Sequence, residues 1–196
     1  MPVLPIYVYG QSVLRKKAKP VRRMTADLRA FVRDMFETME VAGGIGLAAN
    51  QVGSLDRVIV VDVSDMEEVK ELPEGYPARQ PLVLLNPRVE SGEGSWTMEE
   101  GCLSIPDIRD EVERPEKILV RYQDLELAER TLEADGIFAR VIQHEVDHID
   151  GVLFIDHLSG LKRKLLRGRL NKIARGETET SYPVVTGGPA ETHVRG

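Results

Sequence analysis

The stretch "GIFARVIQHEVDHIDG", residues 136–151, limits the possible folds more than any other part of the chain. Wound as a helix, it sets Phe138, Ile142, Val146 and Ile149 on one sector and Ile137 and Val141 beside His144 and His148 on the other. Such a helix is apolar on nearly every side, so it belongs at the centre of the core, and the rest of the chain has to be built around it. Gly151 is placed to stop it. Residues four apart point about 40° from each other, near enough for both imidazoles to reach one ion. Glu145 lies about 100° round from His144, so it can border a metal site without ligating, as suits a general base acting on water.

A single histidine on an apolar helix is most often a hydrogen-bonded core residue. This chain has only four His in 196 residues. Chance would then place two of them in an HExxH pattern with odds on the order of one in a hundred, which favours a metal site. Two imidazoles do not complete one, because a catalytic centre generally takes three protein ligands and keeps a position open. The metzincin continuation needs His at 154, where Phe154 stands. The later glutamate of thermolysin-type enzymes has no distinct counterpart, and His157 lies beyond the helix stop. The candidate third ligand is Cys102 in "MEEGCLSIPDIR". Alone it reads as an inert buried thiol; beside an unfinished two-histidine site, its soft thiolate suits Fe or Zn.

The remaining segments supply what surrounds the helix. Leu28, Phe31, Val32, Met35, Phe36 and Met39 follow helical spacing over 25–42, with Thr25 as N-cap and Gly43 as stop. Residues 57–63, 81–89 and 117–124 read as strands, and a short strand end falls near Leu132. The charged segment 64–80 reads as an exposed excursion. A further helix is expected over 158–174, with Leu161, Leu165, Leu166, Leu170 and Ile173 as its buried stripe. The expected class is α+β, with largely antiparallel sheets wrapped around a central metal-binding helix and with N-terminal and C-terminal helices. Residues 1–175 form one catalytic domain in this reading, and 176–196 a mobile tail.

Charge and composition remove several classes. With 26 Lys and Arg against 32 Asp and Glu, the net charge is −6, so nothing draws the whole molecule to DNA. No stretch is apolar enough to span a bilayer, the start lacks the pattern of a signal peptide, and the single cysteine cannot form an internal disulfide. A cytoplasmic protein without membrane contact is expected. One local exception stands out: 161–175 holds seven basic residues and no acidic one. It is either a solvated helix face or a handle for ribosomal RNA.

Three short motifs, "GIGLAANQ" (44–51), "EGCLS" (100–104) and "QHEVDH" (143–148), resemble those of peptide deformylases in kind, order and separation, and the likeness extends over most of the chain. The resemblance implies removal of the formyl group from the N-terminal formylmethionine of new polypeptides. It further implies one metal held by Cys102, His144 and His148: Fe2+, with Zn2+, Ni2+ or Co2+ able to substitute. Glu145 would be the acid/base, and the Gln51 amide and the Leu103 N–H would donate to the formyl oxygen. Substrate contacts are expected from Ile45, Gly46, Met98, Glu100, Gly101, Ile137 and Val141, the last two because they share the histidine face. Arg140 stands where many members have an apolar residue, and its head is expected to snorkel to the mouth of the methionine pocket. Asp147 is expected either at the surface or paired with Arg114 or another base. Two other readings remain at this level: a zinc peptidase, and a ribosome-associated factor whose metal is structural.

Overall fold

The computed structural model describes residues 2–70 and 76–187. The Thr25 hydroxyl accepts from the Leu28 N–H at 3.1 Å, which starts α1 (Ala26–Val41) and buries Val32, Met35 and Met39 along one side. The other helices are a single turn α2 (Glu67–Lys70), the central α3 (Gly136–Ile149) and α4 (Gly160–Ala174). Among the described residues the strands are β1 (Ile6–Tyr7), β2 (Gly46–Ala48), β3 (Val58–Val61), β4 (Leu82–Glu93), β5 (Trp96–Cys102), β6 (Ile105–Arg114), β7 (Lys117–Gln123), β8 (Glu129–Asp135) and β9 (Val184–Val185).

The main sheet has the order β2-β3-β4-β7-β8, antiparallel throughout. Its strand β3 shows why "VIVV" has no polar face: Ile59 and Val61 join the cluster around α3, while Val58 and Val60 join the one around α1. Alternate side chains point to opposite faces, and both faces are covered, so a continuous apolar run is what the position requires. On α3, Phe138, Ile142 and Ile149 are fully enclosed. Each contributes about 1.5–3 kcal/mol relative to exposure, which makes this helix the centre of the packing. Gly151 ends it at φ +79, where a Cβ would stand 2.8 Å from the Arg15 carbonyl oxygen.

Several expectations are corrected. Residues 96–114 form the antiparallel hairpin β5–β6, where no strand was expected, because runs such as Glu99, Glu100 and Asp110, Glu111 hide the alternation. The glycine-rich segment, whose conformation the sequence left open, holds a strand. Its centre is the edge strand β2, paired with β3, and 3-10 turns at Ala49–Val52 follow it. The charged excursion is exposed at Asp65, Glu67, Lys70, Arg79 and Gln80, as expected, but Val69 and Ala78 anchor it in the cluster around α3. Two sparse apolar residues give no periodic signal.

On α4 only Leu170 and Ile173 are buried, whereas Leu161 and Leu165 are 69% and 74% exposed. Of its stripe only Leu166, Leu170 and Ile173 pack against the hairpin core, so the stripe outruns its contact. Part of the expected tail, 176–187, falls within the described residues and includes a strand. There β9 pairs in parallel with β1, and Tyr182 is buried against Ile6 and Leu47. The rest of the expected tail, 188–196, lies outside the described residues.

Candidate metal centre and its cleft

Three elements converge on one point. α3 brings His144, Glu145 and His148; the end of β5 brings Cys102; the turn after β2 brings Gln51. Cys102 Sγ lies 3.2 Å from His148 Nε2, and the two histidine Nε2 atoms are also 3.2 Å apart. Cys102, His144 and His148 each offer one ligand atom within 4.8 Å of the other two. Bonds of about 2.0–2.3 Å to a tetrahedral ion would separate neighbouring ligand atoms by about 3.3–3.6 Å, so the donor set fits one ion. Sulfur with two imidazole nitrogens accommodates Fe, Zn, Ni or Co.

The supports of this set are explicit. His144 Nδ1 lies 2.9 Å from Glu100 Oε2, which fixes the ring with Nε2 toward the centre. Burial and the neighbouring His144 hold His148 well below the usual histidine pKa, in the neutral form a ligand needs. Glu145 is enclosed, its Oε2 has no hydrogen-bond partner among the described residues, and burial pushes its carboxyl up to about 7. A buried oxygen without a partner beside three ligand atoms is the arrangement a proton-transfer group requires. Gln51 Oε1 accepts from the Ala48 N–H at 2.8 Å, which turns the amide nitrogen to Ser104 Oγ, 3.2 Å away, and to Cys102 Sγ, 3.6 Å away. Asn50 donates to the His148 carbonyl at 2.5 Å, tying the same turn to α3.

Gly46 explains the glycine segment. A Cβ there would stand 2.6 Å from Glu145 Oε1 and 2.7 Å from Val141 Cγ1. Only glycine lets β2 lie this close to the helix.

A cleft of about 550 Å³ opens over the centre. It gathers Gln51, Ile45, Gly46, Met98, Glu100, Gly101, Cys102, Leu103, Ile137, Val141, His144 and Glu145 on one wall system, with His148 enclosed behind them. Glu100, expected to contact substrate, has both side-chain oxygens engaged elsewhere. Arg114 Nε and Arg140 Nη1 reach Oε1 at 2.6 and 2.9 Å, and Arg114 Nη2 reaches Oε2 at 3.0 Å. Burial pushes the Glu100 carboxyl up, but His144 and Arg114 outweigh it and hold the group well below the usual carboxylate range.

Arg140 does not snorkel. It is 3% exposed, donates to the Val112 and Trp96 carbonyls and lies over the Trp96 ring at 5.2 Å. The aim of its guanidinium at a buried carboxylate accounts for the departure. Arg114 also meets Asp147 at 2.7 Å, as does His157 Nε2. Sequence reasoning missed Pro106 and Tyr182 at the cleft and the buried Ser104 behind Gln51. The pair Val184 and Val185 is too short a β signal to have located Tyr182.

An enclosed carboxylate beside a cysteine sulfur and two imidazoles, lining one open cleft, serves water-dependent cleavage, and the class is that of the HExxH metal-dependent hydrolases. Residues 3–164 match the family model described as "Polypeptide deformylase". The peptide deformylase of Salinibacter ruber is 50% identical over 186 residues, covering 94% of this chain and 95% of the relative. That of Chlorobium phaeobacteroides is 47% identical over 182 residues, covering 93% and 95%. Among solved structures, the enzyme of Ehrlichia chaffeensis superposes with a TM-score of 0.80 at 35% identity, covering 90% of this chain and 99% of the other. A Synechococcus elongatus deformylase in complex with actinonin superposes with a TM-score of 0.73 at 42% identity, covering 90% and 89%. The chain belongs to the peptide deformylase family, whose members remove the N-terminal formyl group from nascent peptides.

Proposed function

We propose that this enzyme holds one Fe2+ on Cys102, His144 and His148, a set that Zn2+, Ni2+ or Co2+ can also occupy, and that it acts in the cytoplasm on N-formylmethionyl peptides. The observation that carries the reading is the convergence of three ligand atoms within 4.8 Å beside a buried carboxylate oxygen that lacks a partner. When bound, the ion supplies Lewis acidity toward the formyl oxygen and toward water.

The protein's own groups do the rest. Glu145 takes a proton from water as its oxygen attacks the formyl carbon. As the C–N bond breaks, Glu145 returns that proton to the amine nitrogen, and the product leaves as formate once its remaining hydroxyl proton passes to solvent or to the amine. The Gln51 amide and the Leu103 N–H donate to the formyl oxygen as it gains charge. Ile45, Met98, Ile137 and Val141 receive the methionine side chain, and the edge of β2 at Ile45 and Gly46 offers backbone groups to an extended peptide. The placement of all these residues around one cleft supports the assignment.

The first face of α4, with Arg163, Lys164 and Arg167 beside exposed Leu161 and Leu165, is the proposed contact with the ribosome. No described helix is long and apolar enough to cross a membrane. The deciding experiment is formate release from formyl-Met-Ala-Ser by protein purified without oxygen, with metal content measured on the same sample. Iron near one per chain and one formate per peptide are expected. Cleavage at an internal amide without formate would make the enzyme a peptidase instead.

A further inference from the structure

The chain beyond α4 lies outside residues 3–164, yet it returns to the centre. Residues 179–182 line the cleft. They are held there by β9: the Ile6 N–H donates to the Pro183 carbonyl at 2.9 Å and the Val8 N–H to the Val185 carbonyl at 3.1 Å. One residue further, the Tyr9 N–H donates to the Ser104 carbonyl at 2.8 Å, so the same strand that anchors the strap also holds the cysteine segment. Thr180 Oγ1 donates to the Tyr182 carbonyl at 2.7 Å and braces the turn.

Tyr182 is 8% exposed, and its hydroxyl donates to the Leu103 carbonyl at 2.9 Å. That carbonyl shares a planar peptide group with the Ser104 N–H, and this N–H lies 3.4 Å from Cys102 Sγ as its donor. A donor on the oxygen side polarises the peptide and strengthens what its N–H gives to sulfur. Because the group is rigid, the tyrosine also sets the direction of that N–H.

We propose that Tyr182 is a positioning residue of the centre. Through the Leu103–Ser104 peptide it keeps a hydrogen bond on the Cys102 sulfur and fixes the conformation of the residue whose N–H faces the substrate. This rests on the reading of Cys102 as a ligand and Leu103 as a donor. Partners of this kind, one bond removed from a metal ligand, typically change metal affinity or activity by about 10- to 100-fold when lost.

The test uses full-length protein loaded with cobalt(II). In Y182F the ring still fills its site. Its Kd for cobalt, read by competition with a chelator, should rise about tenfold or more. The sulfur-to-cobalt absorption band should shift, and kcat for formyl-Met-Ala-Ser should fall with little change in KM. Replacement of Tyr182 by 4-aminophenylalanine, which returns a donor to the same place, should restore the affinity and the band. Circular dichroism of the metal-free variants checks that each is folded. Unchanged affinity and band in folded Y182F, or no recovery with the amino analogue, would leave the tyrosine as packing alone and overturn the proposal. Failure of the underlying reading has a separate signature: Cys102→Ser would bind cobalt as tightly as the parent, and the proposal would fall with it.

Discussion

Glu145 is the residue whose surroundings leave it least choice, being enclosed, lacking a partner at Oε2 and lying against Gly46. Glu145→Gln keeps the shape and removes the base. Metal content should stay at the parent level while kcat falls by about 10² or more, and near-normal turnover would take Glu145 out of the mechanism. Val141 tests the methionine pocket, since its side chain meets the cleft one turn before Glu145. Val141→Phe should raise KM for formyl-Met peptides about tenfold, the scale on which apolar pockets discriminate, and an unchanged profile across first residues would locate the pocket elsewhere. At this scale the sequence was informative where spacing is local. His144, Glu145 and His148 lie within one helical turn or so, and their relation follows from helix geometry alone. Cys102 could be proposed only because a two-histidine site was incomplete, and Tyr182 not at all, since its contact with Leu103 joins distant parts of the chain.

Among the elements, α1 and α3 were legible because each carries a long apolar period and its own stop signal. The hairpin β5–β6 was not. Its acidic residues face a partner that periodicity cannot reveal: Glu100 on β5 is neutralised by Arg114 on β6 and Arg140 on α3. This buried group of ions therefore locks hairpin to helix as well as orienting His144. Glu100→Gln removes the negative charge on which both arginines converge, leaving Asp147 as the remaining partner of Arg114. Unfolding of the metal-free protein in urea should show a loss of about 3–5 kcal/mol, the range for breaking a buried pair from one side. A loss below about 1 kcal/mol would mean that apolar packing, not charge, joins the two elements.

For the molecule as a whole, the arrangement of helix around sheet followed from pattern, whereas the surface of α4 did not. Leu161 and Leu165 of its apolar stripe lie open, next to Arg163, Lys164 and Arg167, while Lys162 is tied to Asp110 and Arg169 to the Asp107 carbonyl. Reversing Arg163, Lys164 and Arg167 to Glu should leave hydrolysis of free formyl-Met-Ala-Ser unchanged and reduce cosedimentation with ribosomes, most clearly at low salt. Equal cosedimentation would make the helix a solvated face only. The pairing of β1 with β9 has a consequence in time. Ile6 meets Val184, so every residue up to Val184 must be made before that pairing can close, and the contact of Tyr182 with Leu103 waits on it. An enzyme that works on newly made polypeptides is thus itself unfinished at its centre until its own chain has been made as far as Val184.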